Sequence, residues 1–307
     1  MNFQQLRIIR EAVQQNFNLT DVAAALFTAQ SGVSKHIKDL EDELGVELFV
    51  RRGKRLLGLT EPGKALAVIV DRMLLDAKNI KRVAEQFAEA DAGRLTIATT
   101  HTQARYALPQ VVARFKAAFP KVHLVLRQGS PTEIAALLQT GEADIGIATE
   151  ALDDVPQFVT FPFYTWHHAV VVPEGHALAE LPELTLEALA AYPLITYHEG
   201  YTGRARIDAT FAAAGQTPDI VMSALDADVI KTYVQVGLGV GILAAIAFEP
   251  NRDNGLRLIP AAHLFSKNTT KIGLRRGHYL RGYAYRFLQE CAVNLTEETI
   301  KQAINDE

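Results

Sequence analysis

Hydrophobic positions recur at helical spacing early in the chain and divide one short segment into two faces. Val33, Ile37, Leu40 and Leu44 lie three or four residues apart, so we predict that they pack inward. The opposite face carries small polar and basic residues, namely Ser31, Ser34, Lys35 and Lys38. Such side chains can reach both the phosphates and the base edges of DNA.

The stretch before this helix predicts a second, shorter helix. Ala23 and Leu26 supply its packing residues, and Thr28 is the predicted N-cap before Gln30. Two short helices around a tight turn are typical of a helix-turn-helix, in which the N-terminal residues of the second helix lie nearest the bases. The alternative is an ordinary amphipathic helical hairpin that does not bind DNA.

Two short apolar runs, 48–50 and 56–60, flank a basic turn that contains Gly53. This pattern predicts a small β-hairpin, the wing of a winged helix-turn-helix. An isolated basic turn is usually just solvated, but a position directly after a helix-turn-helix favours contact with phosphates or a minor groove. The predicted DNA contacts are therefore Thr28, Gln30, Ser31, Ser34, Lys35, Lys38, Arg51, Arg52, Lys54 and Arg55.

A long helix is predicted from Thr60 to about residue 90, with Thr60 as N-cap and Pro62 in the first turn. Its apolar residues alternate in steps of four and three, which is a heptad seam. The seam consists of Leu66, Val70, Met73, Ala77, Ile80, Ala84 and Phe87. It predicts a dimerisation helix, which would present two recognition helices to two half-sites. The alternative is a helix that packs only on its own domain.

Beyond Gly93 the pattern changes to alternating strands and helices, which indicates an α/β sheet. Strands are predicted at 94–100, 122–128, 144–148, 167–172, 194–196, 219–223, 240–244 and 270–276. Helices are predicted at 103–118, 131–139, 184–191, 203–214, 226–236 and 279–291. Ligands of such sheets bind beyond the carboxyl ends of the strands.

Polar residues follow several of these predicted strands. Thr100, Thr102 and Gln103 come after the first strand and open a helix, where hydroxyls and free backbone N–H groups can bind an anion without a positive side chain. By position alone, Thr149 and Thr202 converge on the same cleft. Each threonine taken singly is more often a helix cap or a strand residue. Their joint position at strand ends favours a binding site.

Composition narrows the function classes. The chain has 307 residues, a formal net charge of −4 and a single cysteine, Cys291. The length suits two or three folded units, and one cysteine excludes an intramolecular disulfide and fits a reducing cytoplasm. We predict no membrane span and no signal peptide. Neither metal-ligand spacing nor a catalytic triad stands out, so no metal, cofactor or enzymatic activity is expected.

Residues 23–52 resemble the N-terminal domain of LysR-type transcriptional regulators. The resemblance lies in Gln30, Val33-Ser34, Leu40-Glu41, Leu44-Gly45 and 48–51 (LFVR). The chain departs from the usual family pattern at Val22, Ala29 and Ser31. Ala29 removes a hydroxyl that often helps at the helix start, so Gln30, Ser31, Ser34 and Lys35 carry more weight as contacts.

Later motifs resemble the effector domain of the CysB/Cbl subgroup of that family. They are 97–109 (IATTHTQARYALP), 128–132 (QGSPT), 147–152 (IATEAL), 202–204 (TGR) and 226–233 (DADVIKTY). The similarity runs from the first helix to about residue 290 and implies a two-lobed effector domain of the periplasmic-binding-protein type. By residue match, its anion or inducer pocket would consist of Thr100, Thr102, Gln103, Thr149, Trp166 and Thr202.

The same resemblance implies a function. It implies activation of cysteine-biosynthesis and sulfate-assimilation genes, with N-acetylserine or O-acetylserine as inducer and sulfate or thiosulfate as anti-inducer. A Cbl-like regulator of sulfonate or sulfur-starvation genes would instead sense adenosine phosphosulfate. Residues 1–6 and 51–58 are more similar to Cbl, and the effector domain is more similar to CysB. Because the effector domain senses the ligand, we expect a CysB-like role. A remote alternative is a small-molecule-binding enzyme or transport domain, which gives residues 1–60 no function.

The predicted fold class is α + α/β, in three parts. Residues 1–60 form the winged helix-turn-helix, 61–90 the linker and dimerisation helix, and 91–307 the effector-binding domain. The resemblance implies lobe I at about 93–163 and 268–300, and lobe II at about 164–267. Expected partners are double-stranded promoter DNA, a small anionic effector and a second copy of the chain. The resemblance further implies a homotetramer, and RNA polymerase is a candidate partner.

Overall fold

The computed structural model describes residues 1–53, 55–201 and 203–305, and the chain folds into two compact units, Met1–Ala84 and Glu85–Glu307. Two of the predicted binding residues, Lys54 and Thr202, lie outside the described residues. Within the described ranges, no helix combines the length and the apolar character needed to cross a membrane.

The first unit consists of four helices and a two-stranded antiparallel hairpin. Its elements are α1 (Phe3–Gln14), α2 (Leu19–Ala25), α3 (Gln30–Leu44), β1 (Phe49–Arg52), β2 (Arg55–Leu59) and α4 (Glu61–Ala88), whose last turn belongs to the second unit. Its core contains Ile8, Val22, Val33, Ile37 and Leu40, none of them more than 2% exposed. The predicted inward face of the second helix is therefore buried, except for Leu44, which is 38% exposed at the last turn.

Side-chain caps fix the starts of three helices in this unit, and the fourth lacks one; at α2, Asn18 accepts a hydrogen bond from the Thr20 N–H. Asn2 and Gln5 form a capping box at α1. Thr60 accepts a hydrogen bond from the Gly63 N–H at 3.0 Å, as expected of an N-cap for α4. The predicted N-cap role of Thr28 is wrong, because α3 begins at Gln30 and Ala29 occupies the cap position without a side-chain hydrogen bond.

The second unit contains two five-stranded sheets, each forming one lobe. The lobe I sheet has the order β4-β3-β5-β12-β6 and consists of β3 (Gly93–Thr99), β4 (Val122–Gln128), β5 (Ile145–Ala148), β6 (Phe158–Trp166) and β12 (Asn268–Arg275). β3 is parallel to β4 and β5, and β12 is antiparallel to β5 and β6. Its helices are α5 (Pro109–Ala118), α6 (Pro131–Thr140), α10 (Gly282–Cys291) and α11 (Glu297–Asn305).

The lobe II sheet has the order β11-β7-β10-β8-β9. Its strands are β7 (His168–Pro173), β8 (Leu194–Tyr197), β9 (Ile220–Ala224), β10 (Val240–Ala244) and β11 (Leu256–Pro260). Its helices are α7 (Leu186–Ala190), α8 (Arg204–Ala213) and α9 (Ala227–Gln235), with short 3₁₀ turns at Ala177–Glu180 and Ala245–Ala247. The chain passes between the sheets after Trp166 and again before Asn268, so two segments join the lobes. This is the α + α/β, two-lobed architecture that the sequence predicted.

Three elements were not predicted, and one predicted helix is divided. The strands β6 and β11 and the helix α11 are absent from the sequence-based assignment. The predicted helix 103–118 is a π-helical turn at Gln103–Ala107 followed by α5, which begins at Pro109. A proline favours the first turn of a helix and cannot continue the hydrogen bonding of a preceding one, so a new helix starts there.

Candidate functional site

The exposed side of α3 carries most of the predicted DNA contacts. Gln30, Ser31, Lys35 and Lys38 are exposed and Ser34 is half-buried, while Thr28 is exposed in the turn before the helix. This division follows from the helical period, because Val33, Ile37 and Leu40 are held in the core of the first unit. The arrangement leaves amide, hydroxyl and ammonium groups free for phosphates and base edges.

The hairpin places further cations close to that helix. Arg51, Arg52 and Arg55 are exposed, and Arg52 and Arg55 are paired across the two strands. Residues of α3 and residues of the hairpin line two surface grooves together. Ser34, Lys38 and Arg51 line one groove, and Gln30 and Arg55 line the other.

Arg51 also has a structural role that the sequence did not indicate. Its guanidinium lies 2.6 Å from a carboxylate oxygen of Glu41 on α3. The other oxygen of Glu41 accepts hydrogen bonds from the backbone N–H groups of Leu48 and Phe49. Glu41 therefore fixes the start of the hairpin to the helix, and Arg51 completes that connection.

Only part of the predicted heptad seam is exposed on the surface of the long helix α4. Leu66 and Val70 pack into the core of the chain's own first unit, so this first third of the predicted dimer seam is wrong. Periodicity alone does not distinguish a helix face that meets its own domain from one that meets a partner. Further along, Met73, Ile80 and Phe87 are 37%, 70% and 86% exposed at intervals of seven residues. An apolar stripe with this spacing fits a second helix.

The predicted effector residues of lobe I meet around one threonine that was not predicted. Thr270, on β12 and fully buried, accepts a hydrogen bond from the Trp166 indole N–H at 3.1 Å. Gln103 donates to the same hydroxyl at 3.4 Å, and the hydroxyl of Thr149 lies 3.3 Å from it. Trp166 itself is only 5% exposed. Thr270 therefore holds three of the predicted residues in one cluster.

Two tyrosines, half-buried Tyr164 and fully buried Tyr197, orient the neighbouring residues. Tyr164 donates a hydrogen bond to the side-chain oxygen of Gln103, which leaves the Gln103 amide N–H₂ as a donor. Tyr197, fully buried in lobe II, accepts from the Ala244 N–H at 3.0 Å and is hydrogen-bonded to Thr102. Burial raises the pKa of both tyrosines, so both stay neutral. Thr102 thus contacts lobe II, while Thr100 is buried and its hydroxyl has no hydrogen-bond partner among the described residues.

Glu150 connects the end of β5 with the start of α8. One carboxylate oxygen accepts from the Gly203 N–H at 2.6 Å, so this helix-opening N–H is already occupied. Burial raises the pKa of Glu150, against the lowering effects of the Gly203 hydrogen bond and the Arg206 charge.

A second contact between the lobes centres on Asp228 of α9. It accepts from the Tyr106 hydroxyl at 2.5 Å and lies 2.9 Å from His101 and 3.3 Å from Lys231. Burial raises the pKa of Asp228, but the hydrogen bonds from Tyr106 and His101 and the Lys231 charge together lower it to about 2. Asp226 and Asp228 both lie at the start of a helix, where a carboxylate ordinarily acts as a cap. Asp226 does cap α9 through the Val229 N–H, and Asp228 binds lobe I.

The chemistry of this cleft suits binding. The predicted effector residues supply hydroxyl, amide and indole groups and no formal charge. Among the described residues, His101, Asp226 and Asp228 offer possible metal-ligand atoms within 4.8 Å of one another. Asp226 and Asp228 already accept the hydrogen bonds given above, and two further cations, Lys231 and Arg105, lie within 3.6 Å of Asp228.

Comparison with known proteins agrees with both units. The family model for the bacterial regulatory helix-turn-helix protein, lysR family, matches residues 3–64, and the model for the LysR substrate binding domain matches residues 88–295. The chain is similar to the HTH-type transcriptional regulator SsuR of Burkholderia cenocepacia, 61% identical over 98% of this chain and 97% of the relative. It is 54% identical to the HTH-type transcriptional regulator CysB of the same organism, over 100% of this chain and 98% of the relative.

A solved structure supports the architecture of the second unit. The cofactor-binding domain of the Cbl transcriptional regulator matches with a TM-score of 0.68 and 52% identity, covering 70% of this chain and 95% of that one. Members of the matched families bind DNA and small-molecule effectors and oligomerise. The relatives are transcriptional regulators and not enzymes, as the sequence predicted. The chain belongs to the LysR family of transcriptional regulators.

Proposed function

We propose that this chain regulates genes of sulfur assimilation, and that it does so by binding a small sulfur-related anion in the cleft between lobes I and II. The observation that carries this proposal is the cluster around Thr270, in which Gln103, Thr149 and Trp166 converge at strand ends without a cation. Neutral donors and helix N-termini can hold a sulfate or a carboxylate. The similarity of the chain to the regulators SsuR, CysB and Cbl supports a role in sulfur metabolism, and therefore a search among sulfur-related effectors.

The first candidate effectors are N-acetylserine and O-acetylserine, opposed by sulfate and thiosulfate, as in a CysB-like regulator of cysteine biosynthesis. The second candidate is adenosine phosphosulfate, as in a Cbl-like regulator. Overall identity does not favour the first candidate, because SsuR and CysB come from one organism and the chain is 61% identical to the former and 54% to the latter. The expectation that CysB is the better model therefore has no support in overall identity.

We also propose that three segments of the chain have separate roles. Residues 1–60 bind promoter DNA, 61–90 join two subunits and 91–307 sense the effector. The exposed residues Gln30, Ser31, Lys35 and Lys38, half-buried Ser34 and the hairpin cations support the first role. The stripe of Met73, Ile80 and Phe87 supports the second. A tetramer would require a further interface in the effector domain.

Calorimetric titration of the full chain tests the effector class. Acetylserines, sulfate, thiosulfate and adenosine phosphosulfate are titrated side by side into the wild type and into Gln103→Ala. We expect saturable binding of at least one of these anions to the wild type and roughly tenfold weaker binding to the variant, because one hydrogen bond to a charged group is lost. Exposed Gln110, outside the cleft on α5, provides the control Gln110→Ala, which should bind as the wild type does. Failure of all five ligands to bind the wild type would contradict the proposal.

A further inference from the structure

Glu150 places a carboxylate inside the cleft, where the predicted effector residues are all neutral. Its Oε1 accepts from the Gly203 N–H, and its Oε2 is buried and has no hydrogen-bond partner among the described residues. Gly203 has φ of 75°, and a Cβ there would lie 2.8 Å from the His168 ring, so only glycine permits this close approach. Glu150 is therefore held at the first turn of α8 by a backbone contact that a larger residue would prevent.

A second unpaired acceptor lies beside it. The side-chain oxygen of Asn268 is buried without a partner among the described residues, and it lies 3.0 Å from the Cβ position of Gly203. Asn268 is fully buried on β12, two residues before Thr270, and its amide nitrogen is turned to His168 at 3.5 Å. Buried acceptors without donors are costly, so two of them at one place indicate a missing donor group.

Arg206, whose charge acts on Glu150, does not supply that donor. The charge of Arg206 lowers the pKa of Glu150, but the Arg206 guanidinium donates to Ser266 Oγ at 3.2 Å and to the Lys267 carbonyl at 2.8 Å. Burial outweighs its effect on the pKa of Glu150. The carboxylate thus remains poorly compensated by the described part of the protein.

The two halves of the cleft consequently have opposite hydrogen-bonding character. Around Thr270, the unpartnered hydroxyl of Thr100 and the amide N–H₂ of Gln103 can donate to an oxyanion. Around Gly203, the unpartnered side-chain atoms of Glu150 and Asn268 are acceptor oxygens. An inorganic oxyanion satisfies the first half and meets a like charge at the second. A ligand that combines an oxyanion with an ammonium or amide N–H satisfies both.

We propose that Glu150 determines effector specificity, by accepting a hydrogen bond from an N–H group of an amino-acid-like effector whose anionic end binds near Thr100 and Gln103. This inference rests on the proposed function and names the ligand class within it. Sulfate and thiosulfate bind the donor half only, and Glu150 keeps them weak. The chemistry selects a carboxylate or other oxyanion that also carries an ammonium or amide nitrogen.

Ligand pairs test the proposal in the wild type. O-acetylserine carries an ammonium group, and 3-acetoxypropionate is the same molecule with hydrogen in its place. We expect the full-length wild type to bind O-acetylserine at least tenfold more tightly, because a charge-assisted hydrogen bond to Glu150 is lost in the analogue. Equal affinity for the two compounds would overturn the inference. Because this comparison uses only the wild type, its result does not depend on whether a variant folds.

The variant Glu150→Gln removes the charge and keeps the shape. We expect it to lose most of the preference for O-acetylserine over the deamino analogue, with sulfate affinity equal to or above that of the wild type. The matched control Glu187→Gln removes one charge from an exposed position on α7 and should retain wild-type preferences. If the Glu150→Gln substitution weakens the binding of all ligands by the same factor, Glu150 has a structural role only. If the wild type binds none of the probes, the proposed effector class fails, whereas binding with an unchanged preference in Glu150→Gln refutes this inference alone.

Discussion

Replacement of Thr270 by valine tests whether this hydroxyl organises the effector cleft. Thr270 is fully buried, and valine has almost the same shape, so packing is retained while the hydroxyl is lost. The change removes the acceptor of the Trp166 N–H at 3.1 Å and of the Gln103 amide at 3.4 Å. It also removes the partner of Thr149.

The expected magnitude follows from these distances. A buried N–H that loses its acceptor costs about 1–3 kcal/mol, and the 3.1 Å bond of Trp166 is of normal length. The contact of Gln103 is longer than usual and adds little to stability. We therefore expect the free energy of unfolding of the effector domain to fall by about 1–3 kcal/mol. Because Gln103 and Thr149 lose their common anchor, anion binding should weaken roughly tenfold, which corresponds to about 1.4 kcal/mol.

The single tryptophan of the chain makes this measurement direct. Trp166 lies in the cleft, so its fluorescence reports both unfolding of the effector domain and ligand binding. Thr196→Val is the matched control, because Thr196 is also fully buried and donates one hydrogen bond at 3.0 Å, to the Ile242 carbonyl. The control should lose stability but bind anions like the wild type. Wild-type anion affinity in Thr270→Val would refute the view that Thr270 orients Gln103 and Thr149.

Three further predictions concern the other surfaces. Arg52→Ala and Arg55→Ala should each reduce the slope of log affinity for DNA against log salt by about 0.9, and an unchanged slope would remove the hairpin from the DNA interface. Met73→Asp with Ile80→Asp should dissociate the dimer in sedimentation, because like charges would face each other across an apolar seam, and an unchanged oligomer would place the main interface elsewhere. The carboxyl of Asp228 has its pKa lowered from 3.8 to about 2, so its stabilising effect should be complete above pH 3.8 and disappear as the pH falls toward 2. Asp228→Asn should therefore unfold more easily than the wild type at neutral pH, and a difference that is undiminished at pH 2 would contradict this assignment.

The sequence predicted the central strands of both sheets and missed two of the four strands at sheet edges. β4 and β10 have the predicted bounds, whereas the two missed edge strands, β6 and β11, each contain a proline. Proline within an apolar run argues against a strand, but an edge strand tolerates it because one side forms no ladder. Whether a run that contains proline forms a strand therefore depends on its place in the sheet, and the local sequence does not show that place.

The sequence predicted the site residues that directly follow strands, and it missed those that strand register and lobe contact bring into the cleft. Thr270 reaches the cleft because β12 pairs with β6, which aligns Thr270 with Tyr164 and Asn268 with Trp166. Since β6 was not predicted, this pairing could not be inferred. Glu150 lay next to the predicted Thr149, but only the fold brings it to Gly203, 53 residues away. Similarly, Asp228 has the sequence pattern of a helix cap, and its contact with Tyr106 arises only when the lobes meet.

Footprinting of the full chain on a promoter from its own genome tests whether an anion in the cleft controls DNA binding. The promoter should precede a sulfur-assimilation gene, and the ligand should be the tightest binder found by calorimetry. We expect this ligand to change the extent of the protected DNA at concentrations that match its affinity for the cleft. A footprint that stays the same at saturating ligand would contradict the claim.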